Sequence, residues 1–235
     1  MEDFYVNDHG ASEFGAWLQT SYQVGGSALT QNYLTSYTGS RITFCSTQYG
    51  LRSISLPMTI WGDNPEDAAA KRSALTAAML GGTFELTLPD GGTYTALLLS
   101  SGNAAVQDDA GCVLDCTYSL VGYRHGALET LALPAGVKNF FAAGTAPLME
   151  CRITETVAAA GSYIVHYPNG GGCTVSDLQA GDTVCVDGIL KQVLCNNSNY
   201  FHRVTAISGW PTVNAGENQL THSVTSYIEY YPIFV

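Results

Sequence analysis

Apolar and polar residues alternate without a break over residues 51–61. Ile54, Leu56, Met58 and Ile60 fall on one face, and Ser53, Ser55, Pro57 and Thr59 on the other. A period of two predicts a half-buried strand, and Pro57, which has no N–H to donate, predicts an edge position. The period then changes. Asp63-Asn64 supplies an N-cap, Pro65 suits the first turn, and Glu66 and Asp67 sit at the positive end of the dipole. This predicts a helix over about 65–80, ended by Gly81-Gly82, with Ala68, Leu75 and Met79 as a narrow apolar stripe against a sheet. Alternation returns at Phe84, Leu86 and Leu88. Pro89-Asp90-Gly91-Gly92 turns the chain, and Tyr94 to Leu99 returns antiparallel. A further strand from Cys112 to Val121 has Cys112, Leu114, Cys116, Tyr118 and Leu120 on its inner face.

The flanking segments are less regular. Phe4-Tyr5-Val6 and Phe14 to Leu18 read as short strands around a turn at Asn7-Asp8-His9-Gly10, and residues 25–40 as a long polar loop, functional or ordered by a partner. Residues 126–147, rich in Ala, Gly and Pro, read as the connection between two domains. Beyond them Tyr163–Tyr167, Thr183–Val186, Ile189–Leu194, Phe201–Ile207 and Val224–Tyr231 read as short strands separated by turns such as Asp187-Gly188. The fold class expected is mainly β: a first domain of strands with one α-helix over 1–130, a linker over 131–147, and an all-β sandwich over 148–235.

Composition changes this picture in two ways. Only 12% of residues are charged, so Thr, Ser, Gly and 14 tyrosines must cover much of the surface, which favours broad contact surfaces. Residues 1–130 hold 13 acidic and 5 basic residues, which argues against a nucleic-acid grip. The cysteine count is odd, and Met1-Glu2-Asp3 lacks the basic and apolar regions of a signal peptide, so free thiols in a reducing cytoplasm are expected. No apolar run is long enough to span a membrane.

Candidate chemistry is sparse. Cys112 and Cys116 on one strand lie ~13 Å apart, too far to share a zinc ion. His9, His125, His166, His202 and His222 form no metalloprotease pattern, and His166 and His202 fall in predicted strands. Asp182 and Asp187 flank a strand at ~17 Å, beyond the reach of a glycosidase pair. Asp108-Asp109 lacks the spaced oxygen ligands of a calcium loop. Asn196-Asn197-Ser198 is formally a glycosylation sequon. No catalytic residue, metal site or cofactor is expected.

The order of these features resembles the distal tail (Dit) proteins of long-tailed, non-contractile bacteriophages. The resemblance rests on Phe4-Tyr5-Val6-Asn7, Glu13-Phe14-Gly15, Gly39-Ser40-Arg41, Ile60-Trp61-Gly62-Asp63 with Pro65 and the capped helix, and Leu86-Thr87-Leu88-Pro89. It continues in Asn199-Tyr200-Phe201, Gly209-Trp210-Pro211 and Gly216-Glu217-Asn218. It implies a ring-forming N-terminal β-sandwich with one α-helix and a galectin-like C-terminal β-sandwich. The implied protein is a non-enzymatic homohexameric ring in the virion, at the distal end of the tail, made in the host bacterial cytoplasm. Its implied partners are the tail tube, tape-measure and tail-tip hub proteins and a receptor-binding protein, with DNA passing through the lumen, no specific nucleic-acid contact and no membrane anchor. The competing expectation is a carbohydrate-binding β-sandwich at the host cell surface, using Tyr227, Tyr231 and Trp210.

Overall fold

A computed structural model describes residues 3–35, 42–168 and 170–235. Among the described residues the protein is mainly β with one α-helix. It divides into two compact units, Met1–His125 with Val235, and Gly126–Phe234.

The first unit comprises β1 (Tyr5–Val6), β2 (His9–Gly10), β3 (Ala16–Leu18), β4 (Gln23–Thr35), β5 (Ile42–Trp61), α1 (Pro65–Ala78), β6 (Phe84–Thr87), β7 (Thr93–Ser100), β8 (Ala105–Val106) and β9 (Val113–His125). These strands form one sheet in the order β2-β1-β6-β7-β9-β5-β3, with β4 added to β5 and β8 to β9. Register explains the core. Leu56 pairs with Tyr118 and Met58 with Cys116, so the inward positions of β5 and β9 coincide. Ile54, Leu56, Met58 and Ile60 are buried with Leu114, Cys116, Tyr118 and Leu120, and α1 lays Ala68, Leu75 and Met79 on them. Each fully buried large apolar side chain contributes about 1.5–3 kcal/mol. The helix starts as its sequence requires: Asn64 Oδ1 accepts from Asp67 N at 2.9 Å, and Asp67 Oδ2 accepts from Asp63 N at 2.9 Å.

Two expectations for this unit are corrected. Pro57 is not on an edge, because β5 pairs with β9 on one side and with β3 and β4 on the other. Within a strand, N–H and C=O of one residue point to the same side. The Pro57 carbonyl accepts from Gln19 N at 2.9 Å, so its missing donor faces the gap where the chain passes from β3 to β4. The ladder to β9 loses nothing. The long loop over 25–40 is also replaced: residues 23–35 form β4, which pairs with β5 from Gln23↔Ser55 to Thr35↔Ile42.

The second unit comprises β10 (Glu129–Leu133), β11 (Gly136–Ala142), β12 (Met149–Thr156), β13 (Gly161–His166), β14 (Gly172–Leu178), β15 (Thr183–Asp187), β16 (Gln192–Cys195) and β17 (Ser198–Asn199). It ends in β18 (Val204–Ile207), β19 (Thr212–Val213), β20 (Gly216–His222), β21 (Ser226–Tyr230) and β22 (Ile233–Phe234). One sheet runs β10-β21-β12-β15-β16-β17 with β19 on β12; β11 pairs with β20, and β13-β14-β18 form a third ladder. Residues 131–147 are therefore not a linker. They contribute the end of β10, paired to β21, and all of β11, paired to β20, and the boundary falls at His125/Gly126. The expected strand at Phe201 begins instead as a 3-10 turn, Phe201–Arg203, ahead of β18.

Candidate assembly surfaces

Away from the core, the far half of the β4–β5 ribbon is exposed. Where their burial is described, none of the residues from Ala28 to Leu34 and from Ile42 to Leu51 is buried. Leu29, Tyr33, Leu34, Ile42, Tyr49 and Leu51 are all large, apolar and exposed, Ile42 at 69%. Leu29 sits opposite Tyr49 in the register, so apolar residues meet across the ribbon. A two-stranded ribbon is marginal in water by itself, and contiguous exposed apolar area marks an interaction site. The sequence carries the signal in its apolar residues between 29 and 51; their spacing matches no single buried face, which is why the segment reads as loop.

The second unit presents an aromatic patch. Phe201 stacks on Trp210, with ring centroids 6.2 Å apart and planes 24° from parallel. Lys191 Nζ lies 5.9 Å from the Trp210 ring centre and also pairs with Glu150. Tyr200 meets His202 edge-on at 5.3 Å and donates from its hydroxyl to Asp177 O at 3.0 Å. Asn199 Oδ1 accepts from Phe201 N at 3.0 Å and sets the turn that presents Phe201. The fold thus brings Tyr200, Phe201 and Trp210 onto connected turns, whereas Lys191 carries no signal in the sequence. Pro211 is buried, and its carbonyl accepts from Cys151 N at 3.1 Å.

Other residues singled out in the sequence lie at turns and at the joints between elements. Trp61 and Gly62 join β5 to the first turn of α1, with Pro65 inside that turn. Gly216 has φ of +97°, and Asn218 is buried, bonding back to Asn214 and Gly216. Gly39 and Arg41 lie outside the described residues. Tyr227 lies in β21 and Tyr231 follows its last residue, whereas Trp210 stacks on Phe201.

The carboxylates and histidines hold turns or fill the core. Asp182 accepts from Gln179 N at 2.7 Å and from Asn196 Nδ2 at 2.9 Å, and these bonds hold its carboxyl below its ordinary range. Asp187, at the other end of β15, is fully buried and paired with Arg152. Asp108 Oδ1 accepts from Val113 N at 2.8 Å. His202 lies in the 3-10 turn rather than in a strand. No disulfide joins the described cysteines, and burial pushes the Cys151 thiol up to about 12. No group of described residues has the arrangement to hold a metal ion.

One buried constellation invites a catalytic reading. Glu155, His222 and Ser226 lie together beneath the second unit's surface. Ser226 Oγ donates to Glu155 and lies 2.6 Å from His222 Nδ1. In a serine-hydrolase triad the imidazole stands between an exposed serine and the carboxylate. Here a fully buried serine stands between the other two, so the trio is a core hydrogen-bond chain.

Burial pushes the Glu155 carboxyl above its ordinary 4.5, against the Ser226 and Tyr163 hydroxyls and His166, which pull it down. Between 4.5 and the raised value the folded state binds more protons than the unfolded one, so stability falls as pH rises through that window. His222 is shifted the opposite way: burial lowers it from 6.5, and stability falls as pH drops below 6.5. Glu155→Gln keeps an acceptor for Ser226 and removes only the carboxylate penalty. The variant is expected to gain stability over the parent as pH rises above 4.5, read from urea unfolding across a pH series. A difference that does not vary with pH would contradict this account.

No family model matches the chain, and no curated protein matches it. Solved structures do. SPP1 Dit (gp 19.1), described as a paradigm of the hub adsorption apparatus in phages infecting Gram-positive bacteria, superposes with a TM-score of 0.75 at 13% identity, covering 99% of each chain. A chain of the phage P2 baseplate, in its activated conformation with Ca, has a TM-score of 0.58 at 10% identity, covering 98% of this chain and 97% of that one. The corresponding Sr structure gives 0.57 at 10% identity, with 97% of each chain covered. Over its whole length, through both units, the chain has the fold of SPP1 Dit.

Proposed function

We propose that this protein is a structural hub of a phage tail: a homohexameric ring at the distal end of the tail tube that joins the tube to the tail-tip or baseplate and receptor-binding proteins. The observation that carries the reading is the match to the SPP1 hub protein over 99% of both chains, which takes in both units. The β4–β5 hairpin supplies a physical route to the ring. It is an apolar ribbon that its own unit does not cover, and a neighbouring copy in a closed ring would cover it. The surplus of acidic residues in 1–130 would keep DNA in the lumen from adhering to the wall. The second unit is galectin-like, and its Phe201–Trp210 patch is the docking surface for the next tail component. The tape-measure protein ends above the ring.

The test is light scattering with negative-stain imaging of the full-length protein, alone and with the tail tube protein. A six-fold ring with a central channel is expected. Leu29→Ser, Tyr33→Ser and Leu34→Ser combined should leave folded monomers, because all three side chains are exposed and contribute nothing to the unit's core. A parent protein that stays monomeric at high concentration in both conditions would overturn the ring.

A further inference from the structure

We infer that the second unit carries a binding groove for a neutral saccharide on the outer face of the β11–β20 pair. The register sets Asn139 opposite Gln219 and Phe141 opposite Glu217, and all four side chains are exposed on one face. They line a groove of about 640 Å³ whose other walls include Pro168 and Asn214.

The chemistry of the lining selects the ligand. Gln219 Nε2 donates to Asn139 Oδ1 at 2.9 Å, which fixes both amides. Asn139 Nδ2 is left as a donor and Gln219 Oε1 as an acceptor, side by side. Each hydroxyl of a vicinal pair on a sugar both donates and accepts, so this pair of groups is their complement. Phe141, 70% exposed, offers a flat apolar surface to the C–H face of a pyranose ring. Glu217 accepts from further hydroxyls and repels anions. Among the described residues no Lys, Arg or His lines the groove, so phosphates and acidic sugars find no counter-charge there.

The groove is also held in shape. Asn218 is 6% exposed and ties the 214–218 turn: its Oδ1 accepts from Asn214 N at 2.8 Å, and its Nδ2 donates to Asn214 O at 2.8 Å and Gly216 O at 3.0 Å. Asn214 and Glu217 are thereby placed before any ligand arrives, which reduces the ordering cost of binding. This explains Gly216-Glu217-Asn218 without reference to the ring.

The experiment is saturation-transfer NMR on the full-length protein with methyl glycosides of neutral hexoses and N-acetylhexosamines, and with glucuronate as the anionic control. Transfer to at least one neutral glycoside and none to glucuronate is expected. Phe141→Ala, and Asn139→Ala with Gln219→Ala, should each weaken binding about tenfold with an unchanged melting temperature, since these side chains are exposed. Absence of transfer to every neutral glycoside overturns the proposal, and so does transfer that survives both variants. A monomeric protein that binds glycosides would refute the ring alone, and a ring that binds none would refute the groove alone.

Discussion

Arg152→Leu is expected to lower the stability of the second unit by about 3 kcal/mol. The Asp187 side chain is fully buried, and Arg152 is the cation that meets it: Nη2 at 2.9 Å and Nε at 3.0 Å from Oδ2. The other carboxylate oxygen, Oδ1, accepts from Ile189 N and Leu190 N, both at 2.9 Å, and so closes the turn from β15 to β16. Removing the guanidinium leaves an anion in the core with only two backbone donors. Arg152 is itself one-third exposed and has a second partner in Glu229 at 3.4 Å, so the loss sits at the low end of what breaking a buried pair costs. Asp187→Asn keeps an acceptor for the two backbone N–H groups and is expected to cost about 1–2 kcal/mol. The double variant should cost less than the sum of the two, because the stranded charge is gone. Urea unfolding of the parent and the three variants measures the cycle. Strict additivity would show that Arg152 and Asp187 are not coupled.

The same pair marks where the sequence could be read and where it could not. Asp187 before Gly188 is legible as a turn residue, and it does close a turn. Nothing in the local pattern says that its other oxygen meets Arg152, 35 positions away across β12 and β15. The strands with clean alternation, such as 53–60 and 84–88, were legible because one face is buried and the other wet. The stretch 28–34 was not, because its residues are exposed on both faces and alternation has no cause there. Residues 136–142 were hidden for another reason: Gly136 and Ala142 frame a strand with Val137 and Phe141 on its exposed face, so the apolar residues point the wrong way for a core pattern. Position along the chain predicted Phe201 and Trp210 as important, but only the fold stacks one upon the other. Pro57 misled because a proline's effect depends on which side its missing donor faces, and that is decided by partners far away in sequence.

Gly62→Ala is expected to destabilise the first unit by about 3 kcal/mol. A Cβ at residue 62 would lie 2.3 Å from Ala68 N, 2.7 Å from its Cα and 2.9 Å from its Cβ. Two of these atoms are backbone, inside the first turn of α1, and cannot rotate away. The helix cannot retreat cheaply either. Ala68 N donates to Asn64 O at 3.0 Å, and Ala68 is fully buried against the sheet. On the other side, Gly62 N donates to Cys112 O at 2.9 Å and Trp61 N to Gly15 O at 2.9 Å, so the end of β5 is pinned as well. Relief requires the helix to lift, which exposes part of the contact made by Ala68, Leu75 and Met79. Asn64→Ala is the control. It removes the cap bond to Asp67 N without touching the packing, and should cost about 1 kcal/mol. Urea unfolding in a Trp210→Phe background, followed by the fluorescence of Trp17 and Trp61, reports on this unit. A Gly62→Ala loss no larger than that of Asn64→Ala would mean that the helix start can move aside, and that glycine at this position is not required by the close approach.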